Sequence, residues 1–244
     1  MKNEINFKNK KIMVIGAHPD DNDFGAAATM AFATKQGAKI YYLIATKGQR
    51  GSNDKKMTAE KLSKIREIEQ KKAAKILGVK KVIFLDYCDG ELEVNLELKE
   101  KLVMFLRKYR PDYVFTMDPS RFFYQRMDFG FINHSDHRAI GEAVLDACYP
   151  LSRDILSFPE HVKIGLRPHK VKEIFLFSFM TDEANCFVDV TKTIDLKIKA
   201  LAAHKSQFGN SKQTQEWIRR GASELGKKAG FEYAEAFVRL KLRQ

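Results

Sequence analysis

The stretch KIMVIGAHPDDNDFG, residues 11–25, contains a short apolar run that is followed at once by a strongly polar turn. The apolar half is rich in aliphatic and β-branched residues, which is typical of a buried strand. The polar half contains one histidine and the three carboxylates Asp20, Asp21 and Asp23. An aspartate at the start of a helix commonly caps the helix, and this accounts for one carboxylate. The other two need a different explanation.

Along the rest of the chain, short apolar runs alternate with longer stretches of helical periodicity. The predicted strands cover residues 11–17, 39–46, 81–87, 112–118, 173–179 and 186–191. The predicted helices lie near residues 24–36, 58–77, 95–109, 137–148 and 213–229, with another in KTIDLKIKALAAHKSQF, 192–208. This succession predicts an α/β fold, a three-layer Rossmann-like sandwich with a mainly parallel sheet. A chain of 244 residues is expected to form a single domain over 1–244.

The charge balance is basic, with 43 Lys and Arg against 31 Asp and Glu, a formal charge of +12. Such a charge suits nucleic acid, a membrane surface or an anionic small substrate. The basic residues are spread along the chain and mixed with glutamate at helical spacing, which is typical of a solvated helix face. The sequence contains no recognisable nucleic-acid module, so we expect no nucleic-acid partner, although a basic nucleic-acid-binding protein remains an alternative. A nucleotide-binding Rossmann domain ranks last, because the first strand is not followed by G-x-G-x-x-G.

Localisation follows from the N-terminus and the cysteines. The sequence has no uninterrupted apolar window of about 18 residues, so we expect no membrane span. The N-terminal apolar run is short and lacks a small-residue cleavage site, as expected for the first strand of a cytoplasmic protein. Cys88, Cys148 and Cys186 are isolated in sequence, which indicates neither a disulfide framework nor a thiolate zinc site.

A second polar cluster, NHSDHRA at residues 133–139, follows the fourth predicted strand. In open α/β sheets, ligands bind beyond the carboxyl ends of the strands, so this cluster is expected to meet the HPDD turn. Two histidines and one carboxylate form a three-ligand catalytic zinc set, here His18, Asp21 and His137. Each motif alone is weak, because caps and surface histidines are common. Their joint occurrence at two strand ends favours a metal site.

The segment PSRFFYQRMDFGFINHSDH, 119–137, has no strong period, and long irregular loops in compact domains tend to be functional. Its aromatic residues Phe122, Phe123 and Tyr124 can stack on a sugar ring or simply pack. Arg121 and Arg126 can meet an anionic group or remain solvated. The sequence leaves these alternatives open.

The motifs AHPDDNDFG and NHSDHRA together resemble the LmbE-like, zinc-dependent N-acetylglucosaminyl deacetylases. The similarity extends to TKGQRGS and to LKIKALAAHKSQF, and the tail with YAEAF is most similar to the diacetylchitobiose deacetylase branch. The resemblance implies a zinc hydrolase that removes an N-acetyl group from an N-acetylglucosamine-containing small molecule or short oligosaccharide. It also implies a homo-oligomer, a trimer or hexamer. An amidase acting on a thiol conjugate or another acylated amine is the alternative within the same chemistry.

The resemblance also implies roles for individual residues. It gives the same three zinc ligands, His18, Asp21 and His137. It implies that Asp20 is the general base, that His134 polarises the acyl carbonyl and stabilises the oxyanion, and that Asp136 orients His134. The zinc ion lowers the pKa of its bound water toward about 7, and the base takes the proton.

Three further positions match the family on the substrate side. Arg66 and Glu69 correspond to a family pair in the helix after the glycine-bearing loop and are expected to shape the substrate pocket. His204 matches a position that reaches the active site, although a lone histidine on a helix is often structural. The chain departs from the family at Asn22 and Asp23, where glutamate is frequent, and Asp23 is expected to serve as a helix-start residue.

Overall fold

The computed structural model describes residues 5–125, 130–178, 182–208 and 211–243. The strands are β1 Lys11–Gly16, β2 Lys39–Thr46, β3 Lys81–Tyr87, β4 Tyr113–Met117, β5 Phe123–Gln125, β6 Gly130–Ile132, β7 Glu173–Phe177, β8 Cys186–Asp189 and β9 Ala234–Lys241. The α-helices are α1 Asp21–Lys35, α2 Ala59–Leu77, α3 Leu96–Tyr109, α4 Ser135–Asp146, α5 Pro159–Lys163, α6 Ile194–Leu201 and α7 Lys212–Ala229. A short kinked segment, Ala147–Leu151, follows α4.

Seven of these strands form one sheet in the order β3-β2-β1-β4-β7-β9-β8. β1 pairs in parallel with both β2 and β4, β2 pairs in parallel with β3, and β7 extends the parallel part beside β4. β9 is antiparallel to β7 and to β8. The predicted α/β fold with a mainly parallel sheet is therefore confirmed.

The strand order reverses between β1 and β4. From β1 the chain continues to β2 and β3 on one side, and then crosses to β4 on the other. α1, α2 and α6 pack against one another, and α3 packs against α4. The crevice between the carboxyl ends of β1 and β4 is therefore a topological switch point, the place where α/β sheets bind ligands.

The core explains why the central strands are almost continuously apolar. Ile12, Met13, Val14 and Ile15 of β1 are all fully buried. Side chains of adjacent strand residues point to opposite faces, so a strand buried on both faces must be apolar at every position. β1 therefore runs through the middle of the core and ends at the polar turn.

Some elements differ from the sequence prediction. α1 begins at Asp21, earlier than residue 24, and its first turn contains two carboxylates that favour a helix N-terminus. The helix predicted within 192–208 ends at Leu201, and the following turn is held by the contacts of His204 with Asp23 of α1 and of Ser206 with Glu69 of α2. The sequence analysis did not predict β9 or the hairpin of β5 and β6 within the irregular segment. Arg126 lies outside the described residues.

The structure describes the state of the three cysteines and the polarity of the helices. Cys88, Cys148 and Cys186 are all free cysteines, and the last two are buried. Burial raises the pKa of the Cys186 thiol to about 11, which makes it unreactive. Within the described ranges, every helix is too short or too polar to cross a lipid bilayer.

Two helical glycines allow a matched test of the packing of α1. A Cβ atom at Gly25 would lie 2.2 Å from the Phe177 ring, whereas a Cβ atom at Gly221 would have nothing within 4 Å. We expect Gly25→Ala to lower the free energy of unfolding by about 1–3 kcal/mol, because the core would be overpacked. Gly221→Ala should raise it by up to about 1 kcal/mol, because alanine is the better helix former.

Urea unfolding in the presence of a chelator measures both changes without a contribution from bound metal. A Gly25→Ala variant as stable as the wild type would contradict the close packing of α1 on Phe177.

Candidate active site

The turn after β1 is built around the Asp21 carboxylate. Its Oδ2 atom accepts hydrogen bonds from the backbone N–H groups of Ala17 at 3.0 Å and His18 at 2.7 Å. Asp20 is the N-cap residue of α1, but its side chain makes no capping hydrogen bond, and its φ of 100° lies in the left-handed region. Such strain in a residue other than glycine is often found at functional sites. Helix capping therefore does not account for Asp20.

The second cluster lies at the start of α4, beyond the end of β4. His134 is the N-cap residue, and its Nδ1 atom accepts the backbone N–H of Asp136 at 3.1 Å. Asp136 and His137 follow in the first turn, and both are buried. This cap orients the first turn of α4 toward the HPDD turn.

The three predicted metal ligands come together at the switch point. His18 Nδ1 lies 3.3 Å from His137 Nε2 and 3.4 Å from Asp21 Oδ2, and His137 Nε2 lies 3.2 Å from Asp21 Oδ1. Metal–ligand distances of about 2.0–2.2 Å in a tetrahedral site place neighbouring ligand atoms about 3.3–3.6 Å apart. The donor set and its spacing therefore fit a small divalent ion, and we call His18, Asp21 and His137 the metal group.

The other ring nitrogen of His18 lies between two carboxylates. His18 Nε2 is 3.1 Å from Asp136 Oδ2 and 3.1 Å from Asp89 Oδ1. Asp136 is fully buried and also accepts the backbone N–H groups of Gly90 at 2.7 Å and Leu92 at 3.3 Å. A carboxylate in this position fixes the orientation of a ligating histidine and raises its basicity. His18 is therefore held with Nδ1 directed toward Asp21 and His137.

Asp89 is the site residue that the sequence analysis missed. It follows β3, so it reaches the same sheet edge as the two motifs, and it accepts the backbone N–H of Arg50 at 2.9 Å. Burial opposes its ionisation, but hydrogen bonds from His18 and the Arg50 backbone outweigh burial and lower the pKa of Asp89 to about 2. Its position just after a predicted strand is the sequence feature that could have indicated it.

His134 is the most exposed histidine of the group, with 44% of its side chain accessible. Its ring centroid lies 4.7 Å from that of His18, and burial together with the nearby His18 lowers the pKa of His134. Because Nδ1 accepts a hydrogen bond, a neutral ring carries its proton on Nε2. The Asp136 carboxylate lies 4.0 Å from His134 Nδ1, farther than from His18. Orientation of His134 by that carboxylate stays a prediction.

Asp20 is held by two side chains of α2. Arg66 Nη2 donates to Asp20 Oδ2 at 3.2 Å and to the Pro19 carbonyl at 2.6 Å, and Nη1 donates to the Gly48 carbonyl at 3.0 Å. Gln70 Oε1 accepts the Asp20 backbone N–H at 2.9 Å. Burial raises the pKa of Asp20 to about 6, although Arg66 opposes the shift. Arg66 thus lies beneath the turn and fixes Asp20 in place.

Glu69 and His204 form hydrogen bonds with residues outside the metal group. Glu69 accepts hydrogen bonds from the Ser206 backbone N–H at 3.0 Å and from its hydroxyl at 2.7 Å. His204 is fully buried, with Nε2 2.8 Å from Asp23 Oδ2, and Gln70 Nε2 donates to the same oxygen at 2.7 Å. Burial lowers the pKa of His204, but the bond with Asp23 outweighs it and raises that pKa. These contacts tie the turn after α6 to α1 and α2.

The aromatic segment divides into packed and exposed side chains. Tyr124 is buried, whereas Phe122 and Phe123 are 69% and 66% exposed. The guanidinium of Arg138 lies 4.6 Å from the centre of the Phe122 ring. Arg121 forms a solvent-accessible ion pair with Glu183 at 2.7 Å. Tyr124 therefore belongs to the packing, and the two phenylalanines face solvent.

Comparison with known proteins identifies the family to which the chain is similar. The family model described as PIG-L, GlcNAc-PI de-N-acetylase, matches residues 13–148. The diacetylchitobiose deacetylase of Thermococcus kodakarensis is 33% identical over 234 residues, which cover 93% of this chain and 81% of that protein. A probable N-acetyl-α-D-glucosaminyl L-malate deacetylase 2 of Bacillus anthracis is 27% identical, with 90% and 94% covered.

A solved structure shows the same similarity in three dimensions. The N,N′-diacetylchitobiose deacetylase from Pyrococcus horikoshii, complexed with its inhibitor MPG, superposes with a TM-score of 0.83 at 32% identity, covering 95% of this chain and 84% of that one. The region matched by the family model contains His18, Asp21 and His137. The chain therefore belongs to the PIG-L family of de-N-acetylases, the LmbE-like family that its two motifs resemble.

Proposed function

We propose that this protein is a zinc-dependent hydrolase that removes the N-acetyl group from an N-acetylglucosamine-containing small molecule or short oligosaccharide. The observation that carries the proposal is the tetrahedral spacing of His18, Asp21 and His137 beside the Asp20 carboxylate, which makes no capping hydrogen bond to α1. Relatives named as deacetylases of N-acetylglucosamine compounds support the substrate class. Two imidazoles and one carboxylate support zinc, which takes this donor set in catalytic sites.

His18, Asp21 and His137 would hold the ion, and the polar groups around them position these ligands and exchange the proton. When bound, zinc lowers the pKa of a coordinated water toward about 7 and polarises the acyl oxygen. Asp136 and Asp89 hold the His18 ring, so that Nδ1 stays in its ligating orientation.

Asp20 is the proposed general base. It accepts a proton from the attacking water and later donates a proton to the leaving amine. The water oxygen bonds to the acyl carbon, the C–N bond breaks, and the products are acetate and a free amine. A pKa of about 6 suits both steps, because a group whose pKa lies near the operating pH can accept a proton and then donate it. Arg66 keeps the carboxylate beside the ligands.

His134 is the proposed oxyanion donor. Its Nε2–H belongs to a partly exposed ring at the edge of the metal group, and its Nδ1 is fixed by the Asp136 backbone N–H. A donor aimed at the charge that develops on the acyl oxygen typically contributes about 100- to 1000-fold to the rate.

The proposal includes the organisation of the protein. We infer one domain over residues 1–244 and a cytoplasmic homo-oligomer, a trimer or hexamer, that acts on a small amino-sugar substrate without nucleic acid or membrane. The motif resemblance supports the oligomer, and three free cysteines support a reducing compartment.

Metal analysis coupled to amine release tests the function. The purified protein should contain about one zinc ion per chain and should release amine from N-acetylglucosamine, from its short oligomers, or from its inositol- or thiol-linked glycosides. Chelation should abolish turnover and added zinc should restore it. A metal-free protein that hydrolyses none of these amides, and that instead binds nucleic acid in a strongly salt-dependent manner, would contradict the proposal.

The ligand assignment predicts that His137→Ala lowers zinc affinity by at least about tenfold, because one of three protein ligands is removed. The matched control is His169→Ala, since His169 Nε2 contacts the Pro111 carbonyl at 2.7 Å and His169 belongs to none of the potential metal-binding groups among the described residues. Zinc content after dialysis against buffer of fixed free zinc distinguishes the two variants. Unchanged zinc in His137→Ala would remove this residue from the coordination shell.

The base assignment predicts that Asp20→Asn lowers kcat by about 100- to 10,000-fold while zinc content stays unchanged. Asparagine keeps the size of the side chain and tolerates a positive φ, so the turn should survive. Asp54→Asn, at an exposed aspartate, is the control and should behave as the wild type. Near-normal turnover by Asp20→Asn would show that another group accepts the proton.

A further inference from the structure

A groove of about 350 Å³ has the proposed metal ligand Asp21 in its lining and lies between α1, α6, α7, the ends of β4 and β7 and the start of β9. Its large apolar lining residues include Phe24, Met117, Phe131, Phe177, Trp217 and Leu225. We call this space the α7 groove. Its volume lies at the lower end of the range for small-molecule sites. The reaction proposed above needs room only for an acetyl methyl group, which is much smaller than the groove.

Two charged side chains in the wall of the α7 groove, Lys197 and Glu235, are already engaged with each other and with the backbone. Lys197 Nζ donates to Glu235 Oε1 at 2.7 Å and to the Phe24 carbonyl at 2.6 Å. The Glu235 carboxylate also accepts the backbone N–H groups of Ala28 at 3.2 Å and Thr29 at 2.7 Å. A ligand in the groove therefore meets mainly carbon surface. Three further charged residues of the lining, Asp182, Glu224 and Lys228, are exposed.

The groups that suit a sugar lie elsewhere around the metal group. Asp20, Asp89 and His134 all offer polar atoms close to His18, and none of these three described residues lines the α7 groove. Sugar hydroxyls require hydrogen-bond partners when they are buried, whereas an alkyl chain requires apolar contact. The metal group thus lies between a polar side and an apolar side.

In an N-acyl amino sugar, the polar sugar lies on one side of the amide bond and the apolar acyl chain lies on the other. We propose that the α7 groove binds the acyl chain of the substrate, so that the enzyme hydrolyses N-acyl groups of several carbons more efficiently than acetyl. This inference rests on the proposed amide hydrolysis at the zinc site. The chemistry is unchanged: water adds its oxygen to the acyl carbon, the C–N bond breaks, and a fatty carboxylate leaves in place of acetate.

The hydrophobic effect gives the expected size of the preference for a longer acyl chain. Full burial of one methylene group strengthens binding by about fourfold. Four additional methylenes separate hexanoyl from acetyl. We therefore expect kcat/KM for N-hexanoylglucosamine to exceed that for N-acetylglucosamine by at least about tenfold, even with incomplete burial.

The test measures amine release from N-acetyl-, N-butyryl- and N-hexanoylglucosamine by the zinc-loaded protein and two helix variants. Gly221 lines the groove and has open space at its Cβ position, so Gly221→Leu places an isobutyl group in the path of the acyl chain. This variant should lower the hexanoyl-to-acetyl ratio by at least tenfold. Lys227→Leu adds a similar side chain at an exposed position of α7 outside the lining and should keep the wild-type ratio.

A second groove variant keeps the inference testable if Gly221→Leu fails to fold. Trp217 is 55% exposed and stacks on Phe24, with ring centroids 5.6 Å apart. Trp217→Ala removes one wall without inserting bulk, and it should also lower the ratio. Circular dichroism and zinc content establish that each variant is folded and loaded.

The outcomes separate the two proposals. If the wild type hydrolyses N-acetylglucosamine at least as efficiently as the longer amides, the acyl-chain inference is wrong and the proposed deacetylation stands. A wild-type preference for hexanoyl that neither Gly221→Leu nor Trp217→Ala reduces would also overturn it, because the chain would then bind elsewhere. If the zinc-loaded protein hydrolyses no member of the series, the proposed function fails and the inference fails with it.

Discussion

The site depends on one topological constraint, the parallel pairing of β1 with β4 where the strand order reverses. Neighbouring parallel strands end at the same edge of the sheet, so the turn after β1 and the start of α4 after β4 must approach each other. The pairing brings His18 within 3.3 Å of His137, a residue 119 positions away in the chain. A shared metal ion follows from this approach, since each segment alone supplies too few ligands.

Two adjacent carboxylates acquire different properties at this edge. Burial raises the pKa of Asp20, and its carboxylate is held beside the metal group by Arg66. Burial also acts on Asp21, but the neighbouring His137 and His18 outweigh it and hold the pKa of Asp21 well below its usual range. Carboxylates whose environments separate their pKa values are suited to different roles. Here one fits a permanent ligand and the other a group that exchanges protons.

The fold and the metal group could be predicted from the sequence because their signals are local. The apolar runs mark the parallel strands, and each polar motif directly follows a strand. Asp89 was missed because the turn after β3 contains no histidine and no adjacent pair of aspartates, the features that marked the other two motifs. β9 and the end of α6 depend on contacts between distant segments, such as the Asp23–His204 pair and the β7–β9 pairing, which no local pattern contains. Asp23 itself, expected to start a helix, also anchors that buried network.

Anomalous diffraction at the zinc absorption edge, from crystals of the zinc-loaded protein, tests the central claim most directly. The account predicts one strong peak per chain, within about 2.0–2.2 Å of His18 Nδ1, His137 Nε2 and the Asp21 carboxylate. Glu100, Glu160 and His161 form a separate group of potential ligands. A peak at that group, with none between His18, Asp21 and His137, would contradict the account.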